Sequence, residues 1–228
     1  PPNLYAIDSE DYANPGSLPP GGVLIVGSGQ TGCQIAEELN EAGRDVVIAC
    51  GKAPWAPRRL GDRDIVSWAY DTPFFDQPLA DLPSPQARLI ANAQSTGRAG
   101  GHNLHFRTLS ASGVRLAGHF LGCDDHSAHF ADDLPESVAF GDARYNDICN
   151  LIRTSCEKRG EPVPGFPSPE PFTAMPVEAT SLRELGAVIF ASGYRPDYKR
   201  WVHFPDVFDE LGFPITRDGE STVPGLYF

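Results

Sequence analysis

The sequence predicts an α/β fold: a Rossmann-like, doubly wound domain around a central parallel sheet, with an added β-hairpin and long proline-rich linkers. Two short aliphatic runs, Val23-Leu24-Ile25-Val26 and Val46-Val47-Ile48-Ala49-Cys50, show no alternation of polar and apolar residues, the pattern of strands buried on both faces. Between them lie a glycine-rich turn and apolar residues at helical spacing, so strand, helix and strand follow one another as a parallel sheet requires. The chain is also large enough: 228 residues, 41% hydrophobic and 21% charged, can bury a core and fit one large domain or two small ones.

In order along the chain, Pro1 to Pro20 reads as an extended lead-in punctuated by Asn14-Pro15-Gly16 and Pro19-Pro20-Gly21-Gly22. After the first strand, Gly27 to Gly32 opens a helix through Cys33, Ile35, Ala36 and Leu39 that stops at Gly43. From Gly51 to Gly101, proline-rich connections frame helices near Arg63 to Tyr70 and Pro85 to Gln94. Val114 to Leu121 and Ser127 to Phe130 read as a strand pair around the polar turn Cys123-Asp124-Asp125. Pro135 to Arg159 is the longest helix, with Val138, Tyr145, Ile148, Leu151 and Ile152 at helical spacing and Gly160 after it. A proline-interrupted loop, Glu161 to Thr180, precedes a last buried strand, Ala187 to Ala191, which runs into Ser192-Gly193-Tyr194. Residues 1–20 are thus expected as a lead-in linker, 21–193 as the Rossmann-like domain and 194–228 as a return segment.

Acidic residues number 30 against 18 basic ones, and the net charge of −12 argues against nucleic acid or an anionic membrane as the main partner. The sequence has no apolar run of membrane-spanning length and no signal-peptide pattern at Pro1-Pro2-Asn3, so the expectation is a cytoplasmic protein. Five cysteines without a Cys-x-x-Cys pair suggest buried free thiols, with neither a disulfide framework nor a dithiol redox centre. Oligomeric state leaves no trace in the sequence.

The chemistry sits in Gly27-x-Gly29-x-x-Gly32. Placed between a buried strand and a helix, it is the dinucleotide fingerprint: one glycine for the turn, one for close approach to a pyrophosphate, one for helix packing on strand. The helix N-terminus adds free N–H donors and the positive end of its dipole. On this reading Gly27, Ser28, Gly29, Gln30, Thr31 and Gly32 hold the pyrophosphate. About 20 residues on, where an Asp or Glu would take the ribose hydroxyls, stands Cys50-Gly51-Lys52, with Arg58 and Arg59 following. A missing carboxylate and nearby cations favour NADP(H), with Lys52, Arg58 and Arg59 on the 2′-phosphate. Ser192 and Gly193, just past the last strand, lie where ligands of open α/β sheets bind, or else form a tight strand exit.

Several segments together resemble the flavin-dependent monooxygenases, the group that includes flavin-containing monooxygenases and CzcO-like flavoproteins. Val23 to Leu39 is similar to that family's second glycine motif, the one for NADPH; Lys52 to Asp64 resembles the basic segment after it; Val188 to Tyr198 resembles its Ala-Thr-Gly-Tyr linking segment, with Ser192 where Thr is usual; and Val223 to Phe228 resembles the strand returning to the flavin domain. Tyr12 stands at the aromatic position of the family fingerprint, and Asp8 occupies its His position. The family's first glycine motif, for FAD, has no counterpart here. The resemblance therefore implies the NADPH-binding part of a longer flavoprotein, inactive alone, in which NADPH reduces FAD held by another domain and a small-molecule substrate is oxidised. Two other readings stay open: a non-catalytic nucleotide-sensing or interaction module, and a stand-alone dehydrogenase, which would need a proton donor the sequence does not display. The run Cys123, Asp124, Asp125, His126 and His129 is expected to be a polar hairpin with no metal, because a strand points His126 and His129 to opposite faces.

Overall fold

The computed structural model describes residues 4–89, 92–204 and 206–228. Along the chain run β1 (Tyr5–Asp8), β2 (Gly22–Val26), α1 (Gln30–Glu41), β3 (Val46–Ala49), β4 (Arg59–Leu60), β5 (Arg63–Asp64), α2 (Ile65–Tyr70), α3 (Phe106–Ser112), β6 (Arg115–Ala117), β7 (Phe120–Cys123), β8 (Ser127–Phe130), α4 (Leu134–Arg159), β9 (Ala179–Ser181), β10 (Leu185–Phe190), β11 (Thr216–Arg217) and β12 (Glu220–Ser221). The chain divides into two units, Pro1–Gln77 with Ala91–Ser192, and Pro78–Ile90 with Gly193–Phe228.

The larger unit is built on a five-stranded sheet of order β1-β10-β2-β3-β6, parallel throughout. Side chains alternate as a pleat demands. Val23, Ile25, Val46, Ile48, Leu116 and Ile189 face one core with Leu39 of α1, Leu109 of α3 and Val138 of α4. Leu24, Val47, Ala49, Ala117 and Val188 face the other with Ala128 and Phe130 of β8. That second face is covered by the antiparallel sheet β7-β8-β9, not by helices. The α/β class, the parallel sheet and the added hairpin are as the sequence predicts; the winding differs in that strands close the second face.

Local differences have simple causes. Tyr5–Asp8, expected as lead-in, pairs with β10 as the sheet's edge strand. Val114 to Leu121 is not one strand: β6 ends in the parallel sheet at Ala117, and β7 begins in the antiparallel one at Phe120. Gly118 makes the break, since a Cβ there would collide with the Ala131 carbonyl oxygen. Of the helix expected from Pro85 to Gln94, Pro85–Leu89 is a 3-10 helix, residues 90 and 91 lie outside the described residues, and Gln94 is a buried residue bridged to Trp55. The long helix runs as expected to Gly160, whose φ of +69° ends it in the left-handed conformation.

Apart from the two sheet cores, Trp55 stacks on Tyr145 of α4 with centroids 4.4 Å apart and rings 6° from parallel. Its indole N–H donates to Asp142 at 3.1 Å, and Arg107 clamps the same carboxylate at 2.8 and 2.9 Å. In the smaller unit Tyr198 stacks on Phe208, while Arg88 pairs with Asp209 at 2.6 Å and lies over the Phe213 ring. Among the described residues, no helix is long and apolar enough to cross a membrane.

Candidate functional site

Because all five strands of the sheet are parallel, their carboxyl ends share one edge, and the chain switches direction between β2 and β10. Crevices at such switch points are where open α/β sheets bind ligands. The turn after β2 occupies that point. Gly27 has φ +109°, and a Cβ on it would collide with the Ala191 carbonyl oxygen past β10. A Cβ on Gly32 would collide in turn with the Gly27 carbonyl oxygen. Two glycines therefore let β2, the start of α1 and the exit of β10 approach within backbone contact. Gly29 caps α1 in an extended conformation, and Cys33 N–H bonds the Gly29 carbonyl at 3.0 Å as the first amide held inside the helix. The amides before it in the first turn have no partner inside the helix.

The side chains of the turn have other duties. Ser28 is 3% exposed; its hydroxyl accepts from Gly51 N–H at 2.9 Å and lies 3.3 Å from the Gly51 carbonyl, tying the turn after β2 to the turn after β3. Gln30 donates to the Ser95 carbonyl at 3.2 Å. Gln94, which the sequence did not single out, donates from a buried amide to the Ser28 carbonyl at 2.6 Å and braces the turn from behind. Of the turn's side chains, that of Thr31 is exposed, and it lines a cleft of about 490 Å³ with Ser9, Tyr12, Gln34, Glu38 and Arg98. Tyr12 donates to Glu38 at 3.0 Å there; burial and that carboxylate both push the phenol above its ordinary range.

The basic segment is arranged differently. Arg58 pairs with Asp64 at 2.6 Å and packs its stem against Gly101, while Arg59 donates to the Gly100 carbonyl at 3.3 Å. Lys52 is exposed directly after Gly51. Ser192 is exposed past the end of β10, and Gly193 has φ +90° with open space around it. Gly27, Ser28, Gly32 and Ser192 thus gather at one point of the edge, and Lys52 follows one strand over.

A second group missed by the sequence reading lies at that outer strand. His119, just past β6, has Nδ1 2.5 Å from Asp133 Oδ2, and its backbone N–H donates to the other carboxylate oxygen at 2.9 Å. Desolvation opposes ionisation of Asp133, but these two bonds hold its carboxyl below the ordinary value. Reading Val114 to Leu121 as one strand hid the residue; the Gly118-His119 break was the available signal. At the polar hairpin, Asp124 binds the N–H groups of His126 and Ser127 and the ring of His129. Cys33, Cys50, Cys149 and Cys156 are buried free thiols and Cys123 is exposed.

A parallel α/β sheet with a glycine-built turn at its switch point defines a Rossmann-like domain. Comparison with known proteins narrows this. Across 227 residues, 99% of the chain and 50% of the relative, it is 37% identical to a protein named uncharacterized oxidoreductase CzcO from Bacillus velezensis. It is 25% identical across 99% of its length, and 49% of the relative, to an uncharacterized CzcO-like oxidoreductase of Geobacillus kaustophilus. Over 54 residues, 24% of the chain and 10% of the relative, it is 41% identical to flavin-containing monooxygenase 3 of Macaca mulatta. No family model matches the chain. The chain is thus similar over nearly its whole length to CzcO-like oxidoreductases and over a shorter stretch to flavin-containing monooxygenase 3, the resemblance that the glycine, basic and linking segments imply. It spans about half the length of the CzcO relatives it matches.

Proposed function

We propose that this chain binds NADP(H) at the carboxyl edge of its parallel sheet and presents it to a flavin held by another part of a longer oxidoreductase. The observation that carries the reading is the tight turn at Gly27 and Gly32, where a Cβ at either position would collide with backbone, set at the sheet's switch point and the N-terminus of a twelve-residue helix. Backbone amides from Ser28 to Gly32 would hold the pyrophosphate, because the first-turn N–H groups of α1 lack helical partners and the dipole favours an anion, while the Gly27 N–H is held by the Ala49 carbonyl at 3.1 Å and Gly27 serves by shaping the turn. Ser28 serves by fixing the turn against Gly51 instead of by touching phosphate. Lys52 would face the 2′-phosphate; Arg58 and Arg59 are held by Asp64 and the Gly100 carbonyl and would act from behind it. Ser192, beside the switch point, would line the nicotinamide side.

The flavin supplies the electron-accepting and oxygen-handling chemistry when bound. This chain's part is to bind and orient the nucleotide, and it is inactive alone. Titration of the purified chain with NADPH and NADH in parallel, by calorimetry at one salt concentration, tests the assignment. Saturable binding that favours NADPH is the expected result. Binding of neither nucleotide overturns the proposal, and equal binding of both overturns its NADP(H) preference.

A further inference from the structure

The sheet brings together two residues that no sequence spacing connects. β3 and β6 are neighbours with Ala49 opposite Ala117, so Gly51 and His119 emerge side by side, each two residues beyond that pair. A Cβ built on Gly51 would lie 3.0 Å from His119 Nε2 and 3.5 Å from its Cδ2, so the imidazole edge rests over the glycine backbone. The ring is fixed there by Asp133, which takes both its Nδ1 and its backbone N–H, and by Ala131 N–H donating to the His119 carbonyl at 2.8 Å. Nε2 is left without a hydrogen-bond partner among the described residues, on a side chain 49% exposed.

In Rossmann-like domains the end of the second strand of the βαβ unit contacts the adenosine ribose, through a carboxylate or through a cation for a 2′-phosphate. Here that strand is β3. Its end offers a buried thiol at Cys50, no side chain at Gly51 and the flexible Lys52. The ordered polar group at this position comes instead from the neighbouring strand.

We infer that His119 determines specificity at the ribose 2′ position, donating from Nε2–H to a 2′-phosphate while Asp133 orients the ring. The inference rests on the dinucleotide reading above and adds a residue to it. With Asp133 bonded to Nδ1, Nε2 is the ring nitrogen left to meet a ligand, and it lies beside Gly51 on a half-exposed side chain. A charge-assisted bond of this kind changes affinity by about tenfold or more.

The test compares two fragments that differ only at the 2′ position. Calorimetry of wild type, His119→Ala and His119→Gln is run with adenosine 2′,5′-bisphosphate and with 5′-AMP, after thermal unfolding shows the three proteins fold alike. The expected result is that His119→Ala weakens the bisphosphate about tenfold and 5′-AMP less than about twofold, with His119→Gln, which keeps an N–H donor, between. Unchanged bisphosphate affinity in both variants overturns the assignment and leaves the dinucleotide reading standing. Equal losses on both ligands also overturn it, because the ring would then contact a part of the nucleotide they share. If wild type binds neither fragment nor NADPH, the dinucleotide reading falls and this inference falls with it.

Discussion

The turn after β2 and the basic segment after β3 carry equally suggestive sequence signals, yet the folded chain treats them differently. At the turn the proposed binding groups are backbone amides, and two glycines set the turn's geometry through contacts with Ala191 and with each other. In the basic segment the groups are long side chains, and Arg58 and Arg59 each end on an acceptor inside the chain. Backbone geometry is decided within a few residues of sequence. Where a guanidinium comes to rest is decided by whichever acceptor the tertiary fold brings within reach. Motifs of the first kind transfer directly from sequence to site, and motifs of the second kind need the fold.

The largest effect that would sharpen this contrast is expected at Gly32. Gly32→Ala forces a methyl group onto the Gly27 carbonyl, so α1 must move off β2. A loss of roughly 3 kcal/mol or more is expected, read as a fall in the urea midpoint, together with loss of nucleotide binding. A variant as stable as wild type would show that the turn is not the rigid element described here.

A buried histidine at the start of α3 sets the scale for a structural charge effect. His105 is buried beside Trp55, and desolvation first, then the Arg107 cation, pushes its pKa down to about 4. An unfolded histidine titrates near 6.5, so between these values the unfolded chain binds more protons and stability falls as the pH falls. The full effect is about 3 kcal/mol, present above pH about 6.5 and lost on approaching pH 4. Urea unfolding at pH 7 and pH 4.5 should show it, and His105→Leu should flatten this part of the profile. A wild-type profile that is already flat would place His105 in a wetter setting than the one found.

These regions also show what was legible from sequence alone. The aliphatic runs at β2, β3 and β10 and the turn between β2 and α1 needed no tertiary information, since burial on both faces removes polar residues from a parallel strand. The ends of α1 and α4 were legible at Gly43 and Gly160 for the same local reason, a positive φ. The split at Gly118 was not, because β6 and β7 read as one apolar run and only the approach of Ala131 demands the glycine. Nor was β1, whose four residues gain their partner from β10, far away in sequence. His119 and Gln94 were invisible for a related reason: the first meets Gly51, and the second meets Ser28, only once distant segments pack.

The smallest effects lie in the basic segment itself, and they test the contrast most directly. Arg58→Ala removes a pair with Asp64 whose side chains are 27% and 26% exposed, so the stability loss should be about 1 kcal/mol or less. Because Asp64 also accepts from Val66 N–H at 2.9 Å, the carboxylate keeps a partner and α2 keeps its cap. Lys52→Ala removes an exposed cation and should leave the unfolding midpoint within about 0.5 kcal/mol of wild type. On nucleotide affinity the order should reverse: Lys52→Ala weakens NADPH more than NADH, while Arg58→Ala weakens both by less than about threefold, because its charge is already met by Asp64. If Arg58→Ala instead abolished the NADPH preference while Lys52→Ala left it intact, the guanidinium would have to leave Asp64 for the phosphate. The basic segment would then be as directly readable from sequence as the glycine turn.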